Sequence, residues 1–138
     1  MLRQGFFRLA FAIALFVLLS LTLASAQSGS TTPKYNKATE TKIKGVVDEV
    51  KIIPGANEGV HLMVKTDTET ILVHVGPEKF LAAIEVSFAK GDQVEVTGSK
   101  VKDADGTDEI LAREIVKGDN VIVLRDDKGV PVWIGWKM

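Results

Sequence analysis

The chain has 138 residues, a formal net charge of −1 and no cysteine. The lack of cysteine excludes a disulfide framework, a thiolate zinc site, a cysteine nucleophile and a lipid-modified cysteine anchor. The nearly balanced charge excludes the strongly basic surface of a typical nucleic-acid-binding domain. We expect one domain with a single core.

Residues 1–26 have the composition of a secretory signal peptide. Arg3 and Arg8 flank the start, an apolar run occupies residues 9–24, and Ala-Ser-Ala at 24–26 is the small-x-small pattern that a signal peptidase cleaves. The apolar run is shorter than the roughly 20 residues of a spanning helix. We therefore expect cleavage rather than retention as a membrane anchor.

Cleavage after Ala26 leaves 112 residues with 15 basic and 18 acidic side chains, a net charge of −3. The short Arg-bearing start is typical of bacteria, so the expected location is periplasmic or secreted. The signal segment, if uncleaved, is the only expected membrane contact. Residues 27–41 are polar and predict a flexible leader, in which Tyr35 is a candidate for docking on the domain that follows.

From residue 42 onward apolar residues recur with period two, the pattern of half-buried strands. Gly45 lies inside the first predicted strand and marks a candidate bulge. Pro54 and Gly59 bound a loop, and Pro77 opens a short amphipathic helix that we expect to reach about Phe88 and to fray over its last three residues. The predicted strands cover residues 42–53, 60–65, 70–75, 93–102, 109–116, 120–125 and 130–134.

This order, with three strands, one short helix and then more strands, is that of an OB-fold barrel. We therefore predict an all-β domain over residues 42–138, a small OB-fold-like barrel of five to seven strands with one short helix after the third. An open β-sandwich is the alternative.

Several segments also carry a resemblance. The chain resembles a group of exported bacterial OB-fold proteins of poorly defined function. The matching segments are GVHLMVKT at 59–66, VHVGP at 73–77, KGDQVEVTGS at 90–99, AREI at 112–115, LRD at 124–126 and GVPVW at 129–133. The resemblance implies an OB fold and export, and little chemistry, because most matched residues are turn glycines and core positions.

The two histidines are predicted to form a cross-strand pair. If Asp67 and Thr68 form a two-residue hairpin loop, His61 lies directly opposite His74. Such a pair can share a late first-row metal, with Met63 on the same face as a soft candidate ligand. The alternative is two half-exposed histidines that share a face because the pleat places them there. No cofactor is expected.

We expect a non-catalytic binding module that contacts a protein or peptide of the cell envelope through the face of its first three strands and the adjoining loops. Nucleic acid or oligosaccharide is the alternative ligand, although the acidic balance and the strands without aromatic residues count against nucleic acid. Trp133 stacks a ligand or seals a barrel mouth. The predicted contact residues are His61, Met63, Lys65, Leu72, His74 and Trp133, beside the loop 54–59.

Other motifs point to turns rather than chemistry. Asp103 to Asp108 echoes a calcium loop, but its sixth position is Asp108 where that loop needs glycine. The Lys-Gly-Asp repeats at 90–92 and 117–119 are typical turn sequences. No nucleophile–base pair or phosphate loop is evident, so we do not expect an enzyme.

Overall fold

A computed structural model describes residues 34–53, 59–103 and 105–136. The predicted signal peptide, residues 27–33 of the predicted leader and most of the predicted loop at 54–59 lie outside these ranges. None of the helices in the described ranges is long and apolar enough to cross a membrane.

The described residues form six strands and one α-helix. Three strands, the helix and then three further strands follow one another in the predicted order. They are β1 (Glu40–Ile53), β2 (Gly59–Lys65), β3 (Thr70–Gly76), the helix α1 (Glu78–Ala83), β4 (Gln93–Lys102), β5 (Asp108–Lys117) and β6 (Asn120–Val123).

Strands β1 to β5 close into a barrel. β1 pairs antiparallel with β2 and with β4, β2 pairs with β3, β4 pairs with β5, and a short parallel pairing of β3 with β5 completes the ring. β6 extends the sheet from β5. The predicted OB-fold-like barrel, with a short helix after the third strand, is confirmed.

The long strand β1 pairs with both β2 and β4. Its first half pairs with β4 and its second half with β2, and Val46 takes part in both pairings. The register slips at Asp48, so the bulge lies there and not at Gly45 as predicted. Gly45 is needed for another reason, because a Cβ at this position would collide with the backbone carbonyl of Lys65.

The barrel interior is filled by the alternate residues that the period-two pattern selects. The inward residues of β2 and β3 are at most 7% exposed, and α1 contributes the two buried side chains Phe80 and Leu81. The main buried strand residues are Val47, Val60, Leu62, Val64, Ile71, Val73, Val75, Val94, Val96, Ile110, Ala112 and Ile115.

The helix is shorter than predicted, because it ends at Ala83 instead of reaching Phe88. Val86 donates its N–H to Leu81 O at 2.9 Å, and Glu85 adopts a left-handed φ of 59°. These are the features of a Schellman C-cap. Beyond the helix, the β-branched Val86 and the aromatic Phe88 are partly buried and pack against the core.

The last predicted strand, residues 130–134, does not form. A single bridge joins Arg125 to Pro131. Pro131 has no N–H to donate to a ladder, and Ile134 and Trp136 donate their N–H groups back to Pro131 and Trp133 in consecutive turns.

The end of the predicted leader is ordered against the barrel. β1 begins at Glu40, two residues before the predicted boundary, and a 3₁₀ turn over Lys37–Thr39 precedes it. The Asn36 N–H donates to the buried Ser99 Oγ at 3.0 Å, so this turn is held on β4.

Candidate functional site

The predicted contact face is assembled as the sequence implies. Met63 lies opposite Leu72 and His61 opposite His74, and none of the four belongs to the hydrophobic core cluster. The two-residue hairpin loop that sets this register is also present, since Thr66 N–H donates to Glu69 O at 2.8 Å.

The accessibility of this face differs from the prediction at one residue. His61 is only 3% exposed, so the expectation of two half-exposed histidines is wrong for His61. Met63, Leu72 and His74 are partly buried, and Lys65 is exposed. Little apolar surface on this face is therefore open to a ligand.

The two imidazoles contact each other edge to face. Their ring centroids lie 4.4 Å apart, with the planes at 69°. His61 Nδ1 is 3.2 Å from Gly59 O, and burial lowers the pKa of His61 below its usual value. Within the described ranges no group of three or more His, Cys, Asp or Glu side chains gathers at a metal-binding distance. The pair supplies two ligands.

Trp133 lies over the barrel end that α1 occupies. Its ring centroid is 5.7 Å from that of Phe80, and a Cβ added at Gly76 would approach its ring to 2.9 Å. Trp136 contacts Phe80 on another side, with centroids 5.6 Å apart, and is 37% exposed. These contacts favour the lid interpretation of Trp133.

A polar cluster holds the N-terminal segment in place. Arg113 donates to both carboxylate oxygens of Glu40, at 2.9 and 3.2 Å, and the Tyr35 hydroxyl donates to the same carboxylate at 2.6 Å. Burial and the adjacent Glu40 carboxylate raise the pKa of Tyr35 to about 12. The buried Arg125 guanidinium lies 5.4 Å from the Tyr35 ring and 5.8 Å from the Trp133 ring. The charges of Glu40 and Arg113 match each other, whereas Arg125 forms no salt bridge with any described residue and donates to Gly129 O at 2.9 Å. We interpret the cluster as structural, because its contacts join the N-terminal segment to the barrel.

Accessible apolar side chains also lie elsewhere, around the chain that leaves α1. We call residues 84–88 the exit segment. Ile84 of this segment and, beside the segment, Ile52, Val121 and Val123 are 42–59% exposed. We call these four side chains together with the exit segment the exit surface.

Two grooves flank the exit segment. The first has a volume of about 410 Å³ and separates residues 84–87 from β6, with Lys117 at one end. The second, of about 450 Å³, runs between the exit segment and the end of β1, where Val50 and Ile52 line it. Glu85, the residue with the left-handed backbone, lines both grooves.

Sequence reasoning missed the exit surface because it extended the helix to Phe88. A helix over these residues would have placed Ile84 and Phe88 on the core-facing side. The run Val86-Ser87-Phe88, with low helix propensity, was the signal that the helix ends earlier.

The turn motifs behave as predicted. The Asp103 carboxylate accepts the backbone N–H groups of Asp105 and Thr107, at 3.0 and 3.1 Å, so it stabilises the hairpin turn. Gly91 and Gly118 of the two Lys-Gly-Asp repeats both adopt positive φ.

Residues 39–122 match the model of the MamS/MamX magnetosome protein family. The chain belongs to this family. A search of curated proteins found no match.

The MamS/MamX match spans β1 to β5, α1, the exit segment and β6 as far as Ile122. It therefore includes both histidines, the whole lining of the second groove and that of the first groove except Val123. Trp133 and Trp136 lie beyond its C-terminal end, and so does the last residue of β6.

Proposed function

We propose that this MamS/MamX family member is an exported, non-catalytic module that binds a protein or peptide of the cell envelope. The observation that carries the proposal is the exit surface, where accessible β-branched side chains border two grooves. Contiguous exposed apolar residues on a small soluble domain are typical of protein-binding surfaces.

Hydrogen bonds and an ion pair hold the walls of the first groove. Lys117 Nζ donates to Ser87 O at 2.8 Å and pairs with Asp92 at 3.1 Å, which joins the exit segment to β5 and to the turn before β4. The C-cap hydrogen bonds of α1 hold the other end of the segment. A preformed groove binds with less loss of conformational entropy than a flexible one.

The titratable groups of the grooves support binding rather than catalysis. Glu78 and Glu85 are exposed carboxylates, and Lys117 already has a carboxylate partner. Ser87 contributes its carbonyl to Lys117, and no described side chain stands beside its hydroxyl as a base. A catalytic nucleophile would need such a base within hydrogen-bond reach.

The same carboxylates argue against a nucleic-acid ligand. Nucleic-acid binding depends on neutralising phosphates with Lys and Arg and on accessible aromatic side chains for stacking. The first groove has acidic Glu85 on its wall and no aromatic residue in its lining. A protein segment is the better fit.

Export follows from the predicted signal peptide and from the resemblance to exported OB-fold proteins, and it belongs to the same proposal. The outer face of β2 and β3, with Met63, Lys65 and Leu72, remains the surface predicted from sequence. The exit surface offers more accessible apolar area, and we assign the main contact to it.

The test is site-specific photo-crosslinking in the native cells. A photoreactive amino acid replaces Val121, which is 59% exposed in the first groove, or Val130, which is 44% exposed and lies outside both grooves. We expect one discrete crosslinked band from Val121 and none from Val130. Equal crosslinking from both positions, or none from Val121, contradicts the proposal. Fractionation of the same cells tests export, and recovery of the chain from the cytoplasm contradicts it.

A further inference from the structure

β6 has one paired edge and one open edge. It pairs with β5 from Lys117–Asn120 to Glu114–Val123. In an antiparallel pair, hydrogen-bonded and non-hydrogen-bonded residue pairs alternate. The tight two-residue turn at Gly118 and Asp119 makes Lys117–Asn120 a hydrogen-bonded pair, so the outward-facing positions can be derived.

By this alternation Ile122 exchanges hydrogen bonds with β5, whereas Val121 and Val123 do not. Leu124 lies two positions beyond Ile122, so the same alternation requires Leu124 to be hydrogen-bonded to β5. Its N–H does donate to Arg113 O, at 2.8 Å. The N–H and C=O groups of Val121 and Val123 therefore point away from β5. No backbone group within the described ranges pairs with them.

The open edge faces the first groove. Val121 and Val123 carry exposed side chains, while Ile122 between them is buried at 6% exposure. An occupant that satisfies the free N–H and C=O groups must itself present backbone groups at strand spacing. Edge strands of this kind are templates for strand addition.

The opposite wall determines which kind of strand fits. Residues 84–87 line the groove across from β6, so an added strand has protein on both sides. In a second copy of this chain, one edge of β6 is already paired with β5 of that copy. If its other edge were added here, the β5 of the second copy would occupy the space of the exit segment. A single extended segment, free along both edges, meets neither obstacle.

The charge of the groove wall also restricts which side chains the bound segment can carry. Glu85 is exposed, and its carboxylate forms no salt bridge with any described residue. The neighbouring cation, Lys117, is paired with Asp92. A basic side chain on the bound segment would be the complement of Glu85.

We propose that the open edge of β6 binds a single extended segment of the partner protein by strand addition, with apolar side chains alternating along the segment and a Lys or Arg beside Glu85. This inference rests on the proposed protein-binding function and specifies its mode and its ligand chemistry. The backbone of Val121 and Val123 supplies the hydrogen bonds, and the exit segment supplies the apolar wall.

The test uses the full chain and a synthetic peptide, acetyl-KVTVTVK-amide, with hydrogen exchange followed by NMR. Strand addition protects the amides of Val121 and Val123, which otherwise face solvent, and leaves Ile122 unchanged because it is already bonded to β5. A peptide N-methylated at both its valines and its threonines is the matched control, because the N–H groups of alternate residues point to opposite edges of a strand. Equal binding of the methylated peptide overturns the proposal.

Two substitutions at one position separate backbone from side chain. Val121→Thr keeps the outward N–H, whereas Val121→Pro removes that N–H without removing a hydrogen bond to β5, a position at which an edge strand tolerates proline. We expect Val121→Pro to weaken peptide binding about tenfold, the effect of one lost hydrogen bond, and Val121→Thr to weaken it far less. Equal affinities of the two variants overturn strand addition, and the N-methylated peptide gives the same decision if Val121→Pro fails to fold.

Glu85→Gln tests the charge selection. It should weaken binding of the lysine-bearing peptide and leave a peptide with glutamine in place of lysine unaffected. An unchanged affinity for the lysine peptide overturns the proposal that Glu85 selects a basic side chain. If crosslinking from Val121 in cells succeeds while no peptide adds to β6, the partner is bound in another way. The binding function then stands, and strand addition is wrong.

Discussion

The imidazole rings of His61 and His74 contact edge to face at 4.4 Å between centroids, although thirteen positions separate them in the chain. The cause is local. The turn at Asp67 and Thr68 joins β2 and β3 with the shortest common hairpin loop, and this loop imposes the register that places the two residues opposite each other.

Burial of His61 predicts that the protein becomes less stable in mild acid. Its pKa in the folded state lies below the usual 6.5, so the unfolded chain binds the proton more readily. The free energy of unfolding should therefore fall as the pH drops below about 6.5, until the folded-state pKa of His61 is passed. Urea unfolding between pH 8 and 5.5 measures this, and His61→Gln should remove that part of the slope. An equal slope in the variant would contradict the assignment.

The histidine pair also defines a metal test. Two imidazoles without a third ligand in the described ranges should bind Zn²⁺ or Cu²⁺ weakly. Isothermal titration of the full chain should show this binding and its loss in the double variant His61→Ala, His74→Ala. If the double variant binds the metal equally, the pair is not the ligand set. Met63→Leu tests the thioether in the same assay.

Tyr35 should titrate far above an ordinary tyrosine. It is the chain's single tyrosine, so phenolate absorbance reports it without overlap. The folded protein should show a pKa of about 12, and the urea-unfolded chain one of about 10. In Glu40→Gln the pKa should fall but stay above 10, because burial, the larger cause, remains. Glu95→Gln changes a distant carboxylate and should have no effect. A folded-state pKa of 10 would show that Tyr35 does not dock as described.

Glu85 predicts a stabilising substitution. Its φ of 59° lies in the left-handed region, which costs a non-glycine residue roughly 1–2 kcal/mol. Part of this gain is lost to the greater freedom of glycine in the unfolded chain, so Glu85→Gly should raise the free energy of unfolding by about 0.5–1 kcal/mol. Ala82→Gly, inside the same helix, should lower it by about 1 kcal/mol. Thermal unfolding of both variants measures the contrast, and destabilisation by Glu85→Gly would refute the C-cap explanation.

Gly98 marks a close approach of two strands. A Cβ there would collide with Leu111 O and come within 2.8 Å of Ile110 Cγ2. We expect Gly98→Ala to cost about 1–3 kcal/mol, the usual range for overpacking. Lys100→Ala, an exposed position on the same strand, should change stability by less than about 0.5 kcal/mol. Denaturant unfolding distinguishes the two, and similar small effects for both would mean that β4 and β5 adjust freely.

Much of the fold was predictable because the deciding interactions are local. Period-two alternation identified the inward faces of β2 and β3, such as Leu62 and Val73, and the hairpin loop determined their register. Pro77 marked the start of α1 at the expected place. Each of these follows from residues within a few positions of one another.

The candidate site was less predictable, since it depends on distant parts of the chain. The exit segment leaves α1 early because Val86 and Phe88 find apolar partners in the barrel, which no local pattern reveals. Tyr35 docks because Glu40 and Arg113, far apart in sequence, meet across the sheet. His61 is buried although alternation placed it on the outer face.

The amino-acid sequence by itself determined the strand order, the faces that fill the core and the opposition of the two histidines, because hydrogen-bonded hairpins and side-chain alternation are short-range effects. Tertiary structure alone decided where the helix ends, which apolar side chains stay exposed and which strand edge stays open. Those features depend on contacts between segments that are far apart in the chain, such as the packing of Val86 and Phe88 against the barrel core. Local patterns in the sequence do not reveal such contacts.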